Sequence, residues 1–267
     1  MPPVDSIVCV KPVPDSHYWS QLTLDAATKT LRREGIPSIL NPLDKHALEE
    51  ALRIKEKFGG KVTVISMAPL TAINNLKEAI AIGADEALLL SDKSFAGGDT
   101  LATSYVLSAA IKKLGRFDLI ICGNKSLDAG SGQVGPEIAE FLGIAHMTHV
   151  TKLDFLGEGH IRLERALEHG YMTAEARTPI LLSVIKEINI PRHIPLMRIS
   201  NAAQAEVRVW TSKDLDIDSS LIGLSGSPTR VLDLFLPEMK RRGEMIDGTP
   251  ETASKLLVQR LRELGVM

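Results

Sequence analysis

The chain has 267 residues, 31 Lys and Arg against 33 Asp and Glu, and a formal charge of −2. With no basic surplus to hold phosphate backbones, nucleic acid is not an expected partner. No apolar run approaches the roughly 18 residues of a membrane span, so an integral membrane protein is not expected either. Aromatics are only 4% of residues. The core must therefore come from Ala, Val, Ile and Leu, which favours a helix-covered parallel sheet over an aromatic-rich sandwich.

The two cysteines, Cys9 and Cys122, each lie in an apolar strand-like run, with no CxxC spacing and no disulfide framework. A reducing compartment fits this usage. Met1 to Asp5 carries no basic n-region, and apolar Ile7 to Val10 is too short for a signal h-region, so a cytoplasmic location is expected.

Ile7 to Val10 reads as the first strand. Asn41-Pro42-Leu43-Asp44 reads as a helix start, with Asn41 as cap, Pro42 at the first helical position and Asp44 near the positive dipole end. Ala47, Ala51, Ile54 and Phe58 continue one face until Gly59-Gly60 ends the helix. Val62 to Ser66 is the next strand, Ala72 to Ile82 a helix stopped by Gly83, and Ala87 to Leu90 a third strand. Asp99 precedes a helix from Thr100 to about Leu114; Leu119 to Cys122 is a fourth strand, and Pro136 opens a helix through Leu142. Thr148 to Asp154 and His160 to Glu164 read as an antiparallel pair, followed by a buried strand from Ile180 to Ile185. Short strands alternating with helices imply βαβ units in a mostly parallel α/β sheet.

Past residue 190 the periodicity fades and only Pro250 to Leu264 reads as a helix. The expected division is an α/β body over 1–190 and an arm over 191–267. The arm's apolar positions (Leu221, Ile222, Val231, Leu232, Leu234, Phe235, Leu236) are too many for a disordered tail, so it should lie against a partner subunit.

In a parallel sheet the ligand crevice lies outside the carboxyl ends of the strands. Three segments converge there: the stiff loop Val10-Lys11-Pro12-Val13-Pro14-Asp15, the helix start at Asn41, and the long loop after the fourth strand. That loop reads Gly123-Asn124-Lys125-Ser126-Leu127-Asp128-Ala129-Gly130-Ser131-Gly132-Gln133-Val134-Gly135-Pro136, with four glycines in fourteen residues between a strand and a helix N-terminus. Such a loop either brings backbone N–H groups against a phosphate or uses its glycines only to turn. It is neither a GxGxxG fingerprint nor a P-loop. Phe95-Ala96-Gly97-Gly98-Asp99-Thr100 has the same strand-to-helix placement, with simple capping by Asp99 as the plainer reading.

Catalytic groupings are sparse. The seven histidines include no HxxxH or HExxH, so no metal site is expected; His146 and His149 read as loop and strand-edge residues. There is no GxSxG elbow, and Cys122 reads as a small buried residue. Without acid, base or nucleophile, no catalytic residue is assigned, and the chemistry belongs to a bound cofactor.

Six segments taken in order resemble the beta subunits of the electron transfer flavoprotein family. They are Val10 to Asp15; Asn41 to Asp44 with Ala47 to Leu52; Gly83-Ala84-Asp85; Asp99 to Thr103; the Asp128 to Pro136 loop; and Asn189-Ile190-Pro191-Arg192. The resemblance covers essentially the whole chain. It implies a fold of the adenine-nucleotide hydrolase-like, universal-stress-like type. It also implies a heterodimer with an alpha subunit that carries the electron-transferring FAD, while the beta subunit binds AMP or a second FAD. The nucleotide contacts it implies are Cys9, Asn41 to Asp44, Met67 and Gly123 to Val134. It further implies that Leu196, in a loop after Asn-x-Pro-Arg, docks into partner dehydrogenases of the acyl-CoA type. The result would be an electron-transfer subunit, oxidising NADH only in a bifurcating form and only with its alpha subunit.

In one branch of the family the beta subunit holds AMP; in the bifurcating branch it holds FAD that takes a hydride from NADH. Ser94 to Thr100, Lys11 to Asp15 and Gly223-Leu224-Ser225-Gly226-Ser227-Pro228-Thr229-Arg230-Val231 resemble the second branch. Asn189 to Arg192 resembles the first. Asp128-Ala129-Gly130-Ser131-Gly132-Gln133 departs from the usual Asp-Gly-Asp-Thr-Ala-Gln. Two other readings are an ATP pyrophosphatase-like enzyme and a nucleotide-binding regulatory module. The first is disfavoured because Gly97-Gly98-Asp99-Thr100 follows the third strand, not the first; the long C-terminal arm disfavours the second.

Overall fold

A computed structural model describes residues 2–21, 23–25, 30–32, 35–232 and 243–267. Leu234, Phe235 and Leu236, expected as apolar positions of the arm, lie outside the described residues. In chain order, β1 (Ser6–Cys9) is followed by β2 (Pro12–Pro14), β3 (Thr23–Asp25), β4 (Thr30–Arg32), β5 (Ser38–Leu40) and α1 (Pro42–Phe58). Next come β6 (Val62–Met67), α2 (Ile73–Ile82), β7 (Glu86–Leu90), α3 (Thr100–Leu114), β8 (Leu119–Gly123) and α4 (Val134–Leu142). The run β9 (Ala145–Gly157), β10 (His160–Leu167), β11 (Gly170–Arg177) and β12 (Ile180–Val184) leads to α5 (Leu196–Ala203), β13 (Arg208–Trp210) and α6 (Pro250–Glu263).

The main sheet has the order β11-β10-β9-β12-β8-β1-β6-β7-β13. The strands from β9 to β13 in that order are parallel, while β10 and β11 add an antiparallel edge. Alternation along the strands sorts the core into two layers. Val8 is paired in register with Val64 and Ile121, and these face α1 and α2. Ile7, Ile65, Ile120 and Leu181 face α3 and α4. Val8, Val64 and Ile121 are fully buried. At about 1.5–3 kcal/mol per buried aliphatic side chain, a one-residue slip that turned such a set to the wrong face would cost more than the fold can lose.

The helices open and close as their termini dictate. Asp99 accepts from Ala102 N–H at 3.1 Å and so caps α3. Glycines 59, 83, 115 and 143 follow the last turns of α1 to α4. The structure departs from the sequence reading first in the elements themselves. Lys11 to Asp15 is not a plain loop, because Pro12–Pro14 pairs antiparallel with Ser38–Leu40. The expected antiparallel pair is a three-stranded meander, since β11 pairs with β10 from Gly170 to Arg177. Helix α4 begins at Val134, two residues before Pro136.

Residues 1–232 form one compact unit and 233–267 a second. The first therefore runs past the break expected near residue 190: β13 pairs in parallel with Leu88–Leu90 of β7, and α5 packs on α2. In the second unit α6 is capped by Thr249, and Arg260 pairs with Glu244 and Glu263. Its Leu256 and Leu257 are exposed.

Candidate functional site

The chain leaves β1 toward β6 on one side, whereas β8 lies on the other, so the connections diverge between β1 and β8. A cleft of about 760 Å³ opens there, over the strand ends. Cys9, Ile65, Met67 and Cys122 line it from the sheet. Gly123 to Ser126, Ala129, Ser131, Gly132 and Val134 line it from the loop after β8. Phe95, Gly97 to Thr100 and Thr103 line it from the loop after β7 and the start of α3, and Thr229 comes from the C-terminal stretch of this unit.

Asp44 ties these parts together. Its buried carboxylate accepts from Lys11 N–H (2.7 Å), Gly123 N–H (3.1 Å) and Asn41 Nδ2 (3.1 Å), so the ends of β1 and β8 hang on one side chain in the first turn of α1. Burial pushes its pKa up to about 7, against the opposing pull of those three bonds and the Lys11 charge. Gly123 has no alternative: a Cβ there would lie 2.5 Å from Asp44 Oδ1 and 2.8 Å from the Leu43 carbonyl carbon.

Asn41 does not cap α1 through its side chain, contrary to the sequence expectation. Nδ2 donates to the Lys125 carbonyl at 3.0 Å, and Oδ1 accepts from Leu127 N–H at 3.2 Å. The long loop competes successfully for the side chain, and Pro42 leaves one fewer N–H to satisfy in the first turn. Lys11, itself in the cleft lining, holds the loop through Nζ, which pairs with Asp128 Oδ1 at 2.7 Å and reaches Ser126 Oγ at 3.4 Å.

Two features suit the cleft to a polar ligand. Asn124 Oδ1 is buried with no protein partner. Gly132, at φ +68°, presents backbone that a side chain would strain. The thiols are poor nucleophiles: burial, with Asp44 nearby, pushes Cys9 up to about 12, and burial likewise pushes Cys122 up.

Of the expected contacts, Cys9, Asp44, Met67, Gly123, Asn124, Lys125, Ser126, Ala129, Ser131, Gly132 and Val134 come together around the cleft. Asn41, Pro42, Leu43, Leu127, Asp128, Gly130 and Gln133 do not line it; they start α1 or shape the loop behind its lining. Sequence reasoning left Phe95, Gly97, Gly98, Asp99, Thr103 and Thr229 unassigned. The Gly-Gly-Asp-Thr stretch between a strand and a helix is the available signal for most of them, and for Thr229 it is the Gly223 to Val231 segment that resembles the FAD-holding branch.

Leu196 is exposed as expected (84%), but it opens helix α5 and does not sit in a loop. Met197 next to it and Ile190 six residues before it are similarly exposed. The segment is anchored from below. Arg192 pairs with buried Glu49 (2.8 Å) and with Glu56 (2.6 Å), and Arg198 donates to the Ile82 carbonyl at 3.1 Å. Asn189 donates to the His46 carbonyl and to Glu50, both at 3.0 Å.

Fold and cleft together define a doubly wound α/β protein with a deep cleft at its topological switch point. The sequence matches the electron transfer flavoprotein domain over residues 28–215. It is 48% identical over 262 residues to the electron transfer flavoprotein subunit beta of Thermoanaerobacterium thermosaccharolyticum, covering 98% of this chain and 99% of that one. Identity to the same subunit of Clostridium acetobutylicum is 47% over 257 residues, covering 96% and 97%. A third relative, the caffeyl-CoA reductase-Etf complex subunit CarD of Acetobacterium woodii, is 42% identical and covers 98% and 99%. The chain belongs to the electron transfer flavoprotein family, as its motifs indicated, and its role is electron transfer. Beta subunits of this family pair with alpha subunits. Among the described residues no helix is long and apolar enough to cross a membrane.

Proposed function

We propose that the strand-end cleft binds an adenine nucleotide, FAD in preference to AMP. Paired with an alpha subunit that carries its own FAD, the chain then passes electrons between a dehydrogenase or NADH and a downstream acceptor in the cytoplasm. The observation that carries this reading is the extent of the cleft. It runs from Asn124 and Gly132 to Gly98 and Thr229, so it touches all three segments that resemble the FAD-holding branch: 11–15 through Lys11, 94–100 through Phe95 and Gly97 to Thr100, and 223–231 through Thr229. Its volume of about 760 Å³ lies well inside the range of cofactor sites.

Asn124 Oδ1 offers an acceptor to an N–H donor such as an adenine amino group. Bare backbone at Gly98 and Gly132 allows close approach of a phosphate chain, and Ile65, Met67, Leu107 and Ile138 exclude water beneath it. A bound flavin supplies the redox chemistry; the chain's own residues bind and orient it. NADH-driven bifurcation is the extended form of this activity. A second reading, with AMP as a structural nucleotide, is favoured by Asn189-Ile190-Pro191-Arg192.

The exposed Leu196, with Ile190 and Met197, docks an acyl-CoA dehydrogenase-type partner, a reading supported by the caffeyl-CoA reductase named in the complex of one relative. The C-terminal part of the expected arm, with α6, lies on the alpha subunit, where the exposed Leu256 and Leu257 find a partner. The test is to purify the chain with its alpha subunit, denature the complex and identify the released nucleotides. Two FAD per heterodimer support a flavin in this cleft, and one FAD with one AMP supports the structural nucleotide. One FAD and nothing else overturns both.

A further inference from the structure

Residues 223–229 form a tight turn that touches the cleft through Thr229, and its attachments converge on one residue. Asp99 uses both carboxylate oxygens: Oδ1 caps α3 at Ala102 N–H (3.1 Å), and Oδ2 accepts from Thr229 N–H at 3.0 Å. The Asp99 N–H donates to Ser227 Oγ at 2.8 Å, and that hydroxyl, in a buried residue, donates to the Gly223 carbonyl at 2.7 Å. The turn also lies backbone to backbone on the loop after β7. Gly223 has φ +55°, and a Cβ there would fall 2.1 Å from the Ser94 carbonyl oxygen; a Cβ on Gly98 would fall 3.6 Å from Gly223 Cα. Upstream, Ile222 is buried in the core layer under α3, whereas Arg230 and Val231 downstream are exposed.

We infer that this turn is a latch on the cleft, with Asp99 as its positioning residue, and that a nucleotide in the cleft and the closed latch stabilise each other. The inference rests on the nucleotide reading above. A turn anchored at Ile222 and held beyond it by the bonds of Ser227 and Thr229 to Asp99 opens at modest cost, so an open form is accessible. Closed, it completes the lining with Thr229 and fixes the Gly97 to Asp99 backbone. A ligand touching that lining therefore binds the closed form better and, by linkage, shifts the latch toward closure. Asp99 bonds to both the start of α3 and Thr229, so the helix start and the latch are positioned by one side chain.

The experiment uses the complex with the alpha subunit, loaded with its own nucleotide or stripped and reloaded with FAD or AMP. Hydrogen exchange is followed in peptides covering 222–232, and nucleotide release is timed for wild type, Ser227→Ala and Gly223→Ala, neither of which lines the cleft. Loading is expected to slow exchange in 222–232 by about tenfold, and the variants to release nucleotide about tenfold faster. The melting-temperature gain on loading should also shrink in the variants, whereas a merely structural turn would lower loaded and stripped forms equally. Equal exchange with and without nucleotide, or wild-type release from Ser227→Ala, overturns the latch. If Gly223→Ala does not fold, Ser227→Ala and the wild-type exchange still decide. A wild-type complex in which this subunit neither retains nor rebinds a nucleotide overturns instead the reading on which the latch rests.

Discussion

Asp44 sets up a direct contest between burial and hydrogen bonding. Three N–H groups point at its carboxylate, yet burial dominates and lifts its pKa from 3.8 to about 7. A group whose folded value lies above its unfolded value stabilises most below the unfolded one, here under about pH 4, and loses that contribution as pH rises through about 7. The interval spans about three pH units at ~1.4 kcal/mol each, so at most about 4 kcal/mol is lost. Asp44→Asn cannot titrate. With its oxygen kept toward Gly123 and Asn41, its amide faces the Lys11 N–H. One bond is then lost and a buried donor left unpaired, at a cost of about 1–3 kcal/mol. Under about pH 4 the variant should be less stable than wild type by about that amount; wild type then loses ~1.4 kcal/mol per pH unit, so the gap should be nearly closed at pH 5 and reversed by pH 8. Urea unfolding of the nucleotide-free chain at pH 5, 6, 7 and 8 reads the difference. A gap that stays constant, or widens as pH rises, would refute the reasoning and mean that the three donors keep Asp44 ionised throughout.

Gly132→Val should lower the nucleotide retained after gel filtration, because its φ of +68° disfavours a side chain and a Cβ would sit 3.1 Å from the Asn124 carbonyl oxygen; full retention would leave the glycine only a turn role. Leu196→Ala should raise the KM for a partner dehydrogenase about tenfold or more while leaving cofactor content intact, and unchanged transfer kinetics would remove the docking assignment. Arg192→Met should cost about 2–3 kcal/mol in unfolding experiments near neutral pH, at the low end for a buried pair because Glu49 keeps Arg53 as a partner. Burial pushes the Glu49 carboxyl up, but bonds from Arg192 and Arg53 outweigh it and hold the group below its ordinary 4.5. The pair's contribution is therefore full above pH 4.5 and lost as pH falls through the folded value, so the penalty of the variant should shrink in acid.

The parallel body was legible because its periodicity is strong. Elements such as Pro42–Phe58 and Thr100–Leu114 carry apolar faces, helix-start residues (Pro42, Asp99) and terminal glycines that agree with one another. Strand β11 and strand β13 were not legible. They lie at the sheet's edges, where exposed residues such as Tyr171 and Val209 carry no burial pattern, and pairing to a neighbour decides them.

The same division holds at the cleft. Strand-to-helix loops rich in glycine mark its position in the sequence, since in a parallel sheet those loops gather at the carboxyl ends. Composition and motif order likewise sufficed for the α/β class and the family. Which loop residues face the cleft, that Asn41 serves the loop and not the helix, and that Thr229 meets Asp99 across 130 positions of chain were decided by tertiary structure alone. Local propensity reaches only a few residues along the chain. Long-range hydrogen bonds and the burial of a carboxylate such as Asp44 exist only once the strands have set their order.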